Sequence, residues 1–168
     1  RLIEPFFFLF IYFLGTLMNQ IIKVKTGSQL EEIASYSRVV AVDNWIYVSN
    51  TAGRNPQTKE MAEGAIEQTK QIFSNIEAAL KAVDSDLEDV ICSRVFIQNP
   101  EDTNEVMAFI GTKFRGVDPT TTVTCPPLGS SIYKVEIEVT AITCGIPTGL
   151  VSLTVTETAA DLSWDAVT

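Results

Sequence analysis

Glu136 and Glu138 alternate with Val135, Ile137 and Val139, so a strand over these residues would put both carboxylates on one face. Such a carboxylate can take a proton from water or neutralise a cation. Read without further context, the pair is a solvated strand face. Tyr36, Arg38 and Ser49 flank a second strand-like region, and Arg94 stands in the middle of a third. A tyrosine, with an ordinary pKa of about 10, suits orientation of a substrate better than proton transfer. Arg38 and Arg94 could each grip a carboxylate with two parallel N–H donors, although a salt bridge to a neighbouring strand is the plainer use. Ser49 has no histidine to activate it, because the chain contains none. That absence excludes a Ser-His-Asp triad, a Cys-His dyad and an HExxH zinc site within one chain. Any general acid or base must be Asp, Glu, Lys, Tyr, Cys or a terminus. Cys92, Cys125 and Cys144 are odd in number and lack CxxC spacing, so they read as free thiols, and no metal site is expected.

The elements that must hold these residues follow from patterning. A chain of 168 residues, 46% hydrophobic and 20% charged, suits one globular domain. Its formal charge of −9 disfavours binding to nucleic acid or to anionic lipid. Residues 20–25 read as a short first strand. Ser37–Val42 and Trp45–Ser49 read as a hairpin about Asp43-Asn44, two residues that tolerate positive φ. A long helix is expected from about Glu60 to Val83, with Ala62, Ile66, Thr69, Ile72, Phe73, Ile76, Leu80 and Val83 along one stripe. Asp89–Gln98 forms the next strand. Asn99 then caps a second helix with Pro100 in its first position, and Val106, Met107, Ile110 and Phe114 supply its buried face. Gly116 and Pro119 end that helix before a strand over Thr120–Cys125, and a long alternating strand from Tyr133 closes the domain. The order β-β-β-α-β-α-β-β is α+β, with two helices on one face of a mixed sheet and the other face left for an oligomer interface.

These elements carry a family likeness. Tyr36-Ser-Arg-Val-Val40 with Ile46-Tyr-Val-Ser49, Asn75-Ile-Glu-Ala-Ala-Leu80, Leu87-Glu-Asp-Val90, Arg94-Val-Phe-Ile97 and Val135-Glu-Ile-Glu-Val-Thr-Ala-Ile142 resemble, in order and spacing, the RidA/YjgF (Rid) family of imine/enamine deaminases, over about residues 20–143. The resemblance implies a chorismate-mutase-like fold and a homotrimer whose sheets form a central barrel, with small-molecule pockets between subunits. It also implies cofactor-free hydrolysis of 2-imino or enamino acids to 2-keto acids and ammonia. Glu136, Tyr36 and Ser49 match residues that line that pocket or activate water. Glu136 and Tyr36 are therefore the catalytic candidates. Ser49, Asn50, Thr121, Arg38 and Arg94 are the substrate-binding candidates.

Two departures stand out. Asn50 replaces the glycine that commonly follows the pocket serine. Thr121, two residues after Pro119 and fifteen before Glu136, stands where the deaminases carry arginine. A guanidinium holds both oxygens of a carboxylate, and each such charged hydrogen bond contributes roughly 1.5–3 kcal/mol. Losing two lowers binding or rate by about two to four orders of magnitude. The expectation is a small-metabolite-binding protein with weak or altered imine hydrolysis. The alternatives are an active deaminase that uses Arg38 or Arg94 as its cation, and a non-catalytic extracellular interaction module. Chorismate mutase chemistry, which needs several converging cations, is a likeness of fold alone.

The ends differ from the middle. Residues 1–17 form an apolar leader, read as sequence upstream of a start at Met18 or as the core of a signal segment. The first reading gives a cytoplasmic protein without a membrane partner, and the second an exported one. The Rid-like domain is expected over residues 18–145. Residues 146–168 read as a linker followed by a truncated start of a fibronectin type III domain, with strand-like runs at Val151 and Ala160.

Overall fold

The computed structural model describes residues 21–143, together with the backbone of Leu150–Val155 and Ala160–Trp164. The apolar run at the start of the chain, Cys144 and the Pro/Gly linker lie outside the described residues. In chain order the elements are β1 (Ile21–Val24), α1 (Gln29–Ile33), β2 (Val39–Val42), β3 (Trp45–Ala52), α2 (Ala65–Lys81), β4 (Val90–Ile97), α3 (Thr103–Lys113), β5 (Thr120–Thr124), β6 (Val135–Ile142), β7 (Leu150–Val155) and β8 (Ala160–Trp164). Strands β7 and β8 pair antiparallel as a separate two-stranded sheet.

The main sheet has six strands in the order β1-β2-β3-β6-β4-β5. Only β4 and β5 run parallel, and α3 supplies the crossover such a pair requires. The α+β expectation holds. Alternation on β6 gives the sheet its two faces: Val135, Ile137, Val139 and Ala141 are buried, while Glu136, Glu138 and Thr140 point the other way. The buried face packs on α2 and α3 through Ile72, Phe73, Ile76, Leu80, Val106 and Ile110. Phe73 meets Phe109 and Phe114 edge-on, with ring centroids 6.1 and 5.3 Å apart. Trp45 stacks on Tyr47 at 6.4 Å, yet both rings stay exposed on the open side of β3.

Three local features depart from the sequence reading. The long helix begins at Ala65 rather than near Glu60, with Gly64 at its N-cap. The preceding residues instead close a loop in which the Asn55 amide donates to the Glu60 carbonyl at 2.8 Å and Arg54 bridges Met61. Gln68, a polar residue within the apolar stripe, has no exposed surface. Its amide donates to the carbonyls of Ala62 at 2.6 Å and Ile132 at 2.8 Å, and its oxygen accepts from the Lys134 N–H at 2.8 Å. Gly53 makes room for it, since a Cβ there would lie 2.5 Å from the Gln68 carbonyl oxygen. Finally, α1 is an additional helix, capped by the Ser28 hydroxyl, which accepts from the Glu31 N–H at 3.2 Å.

Candidate functional site

The site is built on an irregularity in β3. Val48 pairs with Val139 and Thr51 with Ile137, so β3 advances three residues while β6 advances two. The extra residue makes a β-bulge at Ser49-Asn50, a device that re-aims side chains. Val48 and Thr51 both stay buried on the helix side, which leaves Ser49 and Asn50 to turn elsewhere. The Ser49 hydroxyl donates to the Ser37 carbonyl at 2.7 Å, and its amide donates to the Arg38 carbonyl at 3.0 Å. These two bonds tie β3 to the residues that lead into β2. Asn50 does not adopt the left-handed backbone that a glycine at this position would permit. Its side-chain amide reaches across to β6 and donates to Glu136 Oε2 at 2.8 Å.

Glu136 lies opposite Ala52 of β3 and Phe96 of β4, on the open face. Burial pushes its carboxyl above the usual carboxylate range, and the Asn50 amide offsets part of that rise by favouring the ionised form. Among the described residues no ion pair reaches Glu136. Its neighbour Glu138 pairs with Arg94 across the strands. That contact also raises the Arg94 guanidinium above its ordinary value. The two acids of the alternating strand thus have different partners, one a neutral amide and the other a permanent cation.

Arg38 is more deeply engaged. Its Nε donates to Glu31 Oε1 at 3.3 Å, while Nη1 donates to the Asn50 carbonyl at 3.0 Å and to Thr51 Oγ1 at 3.2 Å. The guanidinium carbon lies 5.8 Å from the centre of the Tyr36 ring, within cation–π range. Thus Tyr36, Arg38, Ser49, Asn50 and Glu136 come together around the bulge. Arg94 stands apart with Glu138. Thr121 is separate from both: it pairs in register with Ser93, and Ser93 with the buried Val139, so it belongs to the helix-side face, at the β5 edge. The Thr121 and Ser93 hydroxyls lie 2.9 Å apart, and Thr121 also donates to the Pro119 carbonyl at 3.1 Å. Within one chain, therefore, Thr121 and Glu136 lie on opposite faces of the sheet.

Sequence reasoning missed Glu31, Thr51 and Ser93. A signal for Glu31 was present in Ser28-Gln-Leu-Glu31, the S-x-x-E pattern of a helix start. Nothing comparable marks Ser93, whose burial follows from the bulge between Val90 and Cys92. Among the described residues no group of three or more His, Cys, Asp or Glu side chains could hold a metal ion, and no helix is long and apolar enough to cross a membrane.

Comparison with known proteins places this arrangement in context. The family model described as endoribonuclease L-PSP matches residues 26–143. The 2-iminobutanoate/2-iminopropanoate deaminase of Rattus norvegicus is 31% identical over 131 residues, covering 74% of this chain and 93% of the rat protein. A RutC family protein of Aquifex aeolicus is 28% identical, over 71% of this chain and 98% of its own. Among solved structures, a YjgF/YER057c/UK114 family member from Mycobacterium tuberculosis superimposes with a TM-score of 0.68 at 26% identity, covering 74% of this chain and all of its own.

Proposed function

Because the chain belongs to the RidA/YjgF family and has its chorismate-mutase-like fold, we propose that it binds a small imine or enamine at clefts between subunits and hydrolyses carboxylate-bearing substrates only slowly. One observation carries this reading. Glu136 is a half-buried carboxylate held by a neutral amide, while the guanidinium groups of Arg38 and Arg94 are already engaged by Glu31 and Glu138. The group suited to activating water is in place. Neither candidate cation is free to grip a substrate carboxylate.

The chemistry follows from that environment. Glu136 takes a proton from water as the oxygen adds to the imine carbon, and the C=N bond becomes a C–N single bond. Passing that proton to nitrogen gives a carbinolamine, and moving the hydroxyl proton to the same nitrogen as the C–N bond breaks releases ammonia and leaves the carbonyl. A carboxyl raised toward neutrality is a better proton acceptor in this step than an ordinary one. Tyr36 lines the same region and orients the substrate. Thr121 offers a single neutral hydroxyl, already facing Ser93, which favours substrates without a carboxylate.

The placement of Thr121 and Glu136 on opposite faces supports a site completed by another copy of the chain. Exposed Trp45, Tyr47 and Ile91 give the sheet apolar surface for such a contact. A homotrimer is the assembly proposed. The family model's description names an endoribonuclease, but a net charge of −9 and the absence of histidine give little support to an RNA substrate.

The test is a coupled assay of ammonia release from imines generated in place, with amino acids compared against the corresponding amino-acid amides. Amide-derived imines should turn over faster than carboxylate-bearing ones. Thr121→Arg should raise the carboxylate rate by about two orders of magnitude, the low end of what a lost bidentate grip removes. Glu136→Gln in that background should abolish the gain. Wild-type turnover of 2-imino acids at the rate of a control deaminase would overturn the proposal.

A further inference from the structure

Glu31 and Arg38 form an ion pair that the proposed chemistry does not use. Glu31 has no exposed surface, and the Arg38 side chain is 15% exposed. Removing two charges from water costs several kcal/mol per ion unless geometry and further hydrogen bonds repay it, so an ion pair is a poor choice for stability alone. Here the further bonds are present. Glu31 Oε2 accepts the Thr26 N–H at 2.8 Å, and Oε1 accepts the Thr26 hydroxyl at 2.8 Å besides the Arg38 Nε. Burial by itself would raise the Glu31 carboxyl, but the Thr26 donors, Arg38 and the Ser28 amide together hold it below the ordinary range. The carboxylate is therefore a fixed, ionised anchor.

What it anchors leads to the candidate site. The Arg38 N–H donates to the Val24 carbonyl at 2.8 Å, which places the residue between β1 and β3. From there Nη1 spans the bulge and holds the Asn50 carbonyl and the Thr51 hydroxyl. The same Asn50 presents its side-chain amide to Glu136. A bulged strand has lost ladder bonds at the extra residue, so its backbone needs another restraint. The guanidinium supplies that restraint.

We infer that Arg38 is a positioning residue, locked in place by Glu31, which fixes the β3 bulge in the conformation that lets the Asn50 amide aim at Glu136. The inference deepens the proposed function, since it rests on Glu136 as the water-activating group. It also assigns Arg38 a role other than gripping substrate. The charged and titratable groups around Glu136 are few. Arg38 stands behind the Asn50 carbonyl on the β3 side with the Tyr36 ring against its guanidinium, Arg94 is paired with Glu138 on the β4 side, Glu138 follows Glu136 on β6, and Lys134 immediately precedes that strand. Phe96 faces it from β4, and β5 beyond carries only Thr and Val.

The experiment follows the Glu136 carboxyl carbon by NMR in the full chain, assigned through Glu136→Gln, without substrate. Asn50→Ala, Arg38→Gln and Glu31→Gln should each raise the Glu136 titration midpoint by roughly half to one pH unit, as loss of a donor to the ionised form requires. Arg38 could instead act through space as a bare cation, and a double-mutant cycle separates the two cases. In the Asn50→Ala background, Arg38→Gln should add nothing further. Arg38→Lys keeps the charge but cannot span Glu31 and Asn50 together, so it should behave like Arg38→Gln, and it serves if the neutral variant folds poorly. Additive shifts, or an unchanged midpoint in the Arg38 variants, would overturn the inference. The reading requires no turnover. Shifts as expected in a protein that hydrolyses no imine would refute the proposed function alone, and Glu136-dependent hydrolysis with unmoved midpoints would refute the positioning role alone.

Discussion

Replacing Gln68 by methionine keeps a side chain of similar length and volume in a site with no exposed surface, but removes every donor and acceptor from it. Three backbone groups lose their partner: the carbonyls of Ala62 and Ile132, and the Lys134 N–H. Each intramolecular hydrogen bond contributes about 1 kcal/mol net, whereas a group left dry and unpaired costs roughly 1–3 kcal/mol. Ala62 and Ile132 are themselves exposed residues, so water can reach their carbonyls. Lys134 is half-buried. The total loss is therefore about 3 kcal/mol, nearer the lower figure than the upper. For a domain of this size that corresponds to a fall of roughly 10 °C in Tm. Differential scanning calorimetry measures it, at one fixed protomer concentration, because association would make Tm concentration-dependent. Lys134 lies two residues before Glu136, so amide exchange should quicken at Lys134 before the helices loosen. A fall of less than about 3 °C would show that Gln68 does not clamp the entry to β6, and the packing argument would be wrong.

Other predictions follow from the same features. Burial raises the Glu136 carboxyl in the folded chain above its unfolded value, so folding takes up protons there, and stability from this group declines as pH rises from about 4.5 through the folded value. Urea midpoints of wild type and Glu136→Gln should accordingly diverge in favour of the variant between pH 4.5 and pH 7; a constant difference would contradict the assigned burial. Sedimentation equilibrium should give about three times the 18.5 kDa protomer mass, and a clean monomer at micromolar concentration would remove the intersubunit cleft. Deleting residues 146–168 should leave the Tm of the remaining domain nearly unchanged, because among the described residues β7 and β8 form a sheet of their own; a large drop would show that they belong to its core.

Much of the fold was legible because periodicity reports burial directly. Strict alternation from Val135 to Ile142 gave both faces of β6, and Asn99-Pro100 marked the approach to α3, although Asn99 caps a 3-10 turn over Pro100–Asp102, accepting from the Glu101 N–H, and α3 itself begins at Thr103. What escaped was whatever depends on register or on polar groups inside. The Ser49-Asn50 bulge exists only in relation to β6, and no local pattern in β3 announces it. Gln68 was overlooked because an apolar stripe counts side chains by type, while a buried amide with three partners is as much a core residue as Ile72. Glu31 lies on a helix of five residues, too short for a periodic signal, and its burial depends on Thr26 and Arg38 coming together. The helix start near Glu60 failed for a related reason: the Asn55 turn captures the Glu60 carbonyl and delays helix onset to Ala65.

The alternating strand leaves Glu136 and Glu138 equivalent in sequence, and their partners separate them. A carboxylate facing a guanidinium is already engaged in a charged hydrogen bond and is not free to face water or substrate. Glu138 is in this position, because Arg94 lies across from it in the register. A carboxylate facing a neutral amide has no such ion pair, and partial removal from water raises it above the usual carboxylate range in spite of that amide. Glu136 is in this second position only because the bulge turns Asn50 toward it. Straightening the strand by removing one residue at Ser49-Asn50 would leave Val48 and Thr51 two positions apart on the buried face, set the residue between them opposite Glu138, and take the amide away from Glu136. The choice between two adjacent acids is therefore made by a backbone irregularity on the neighbouring strand.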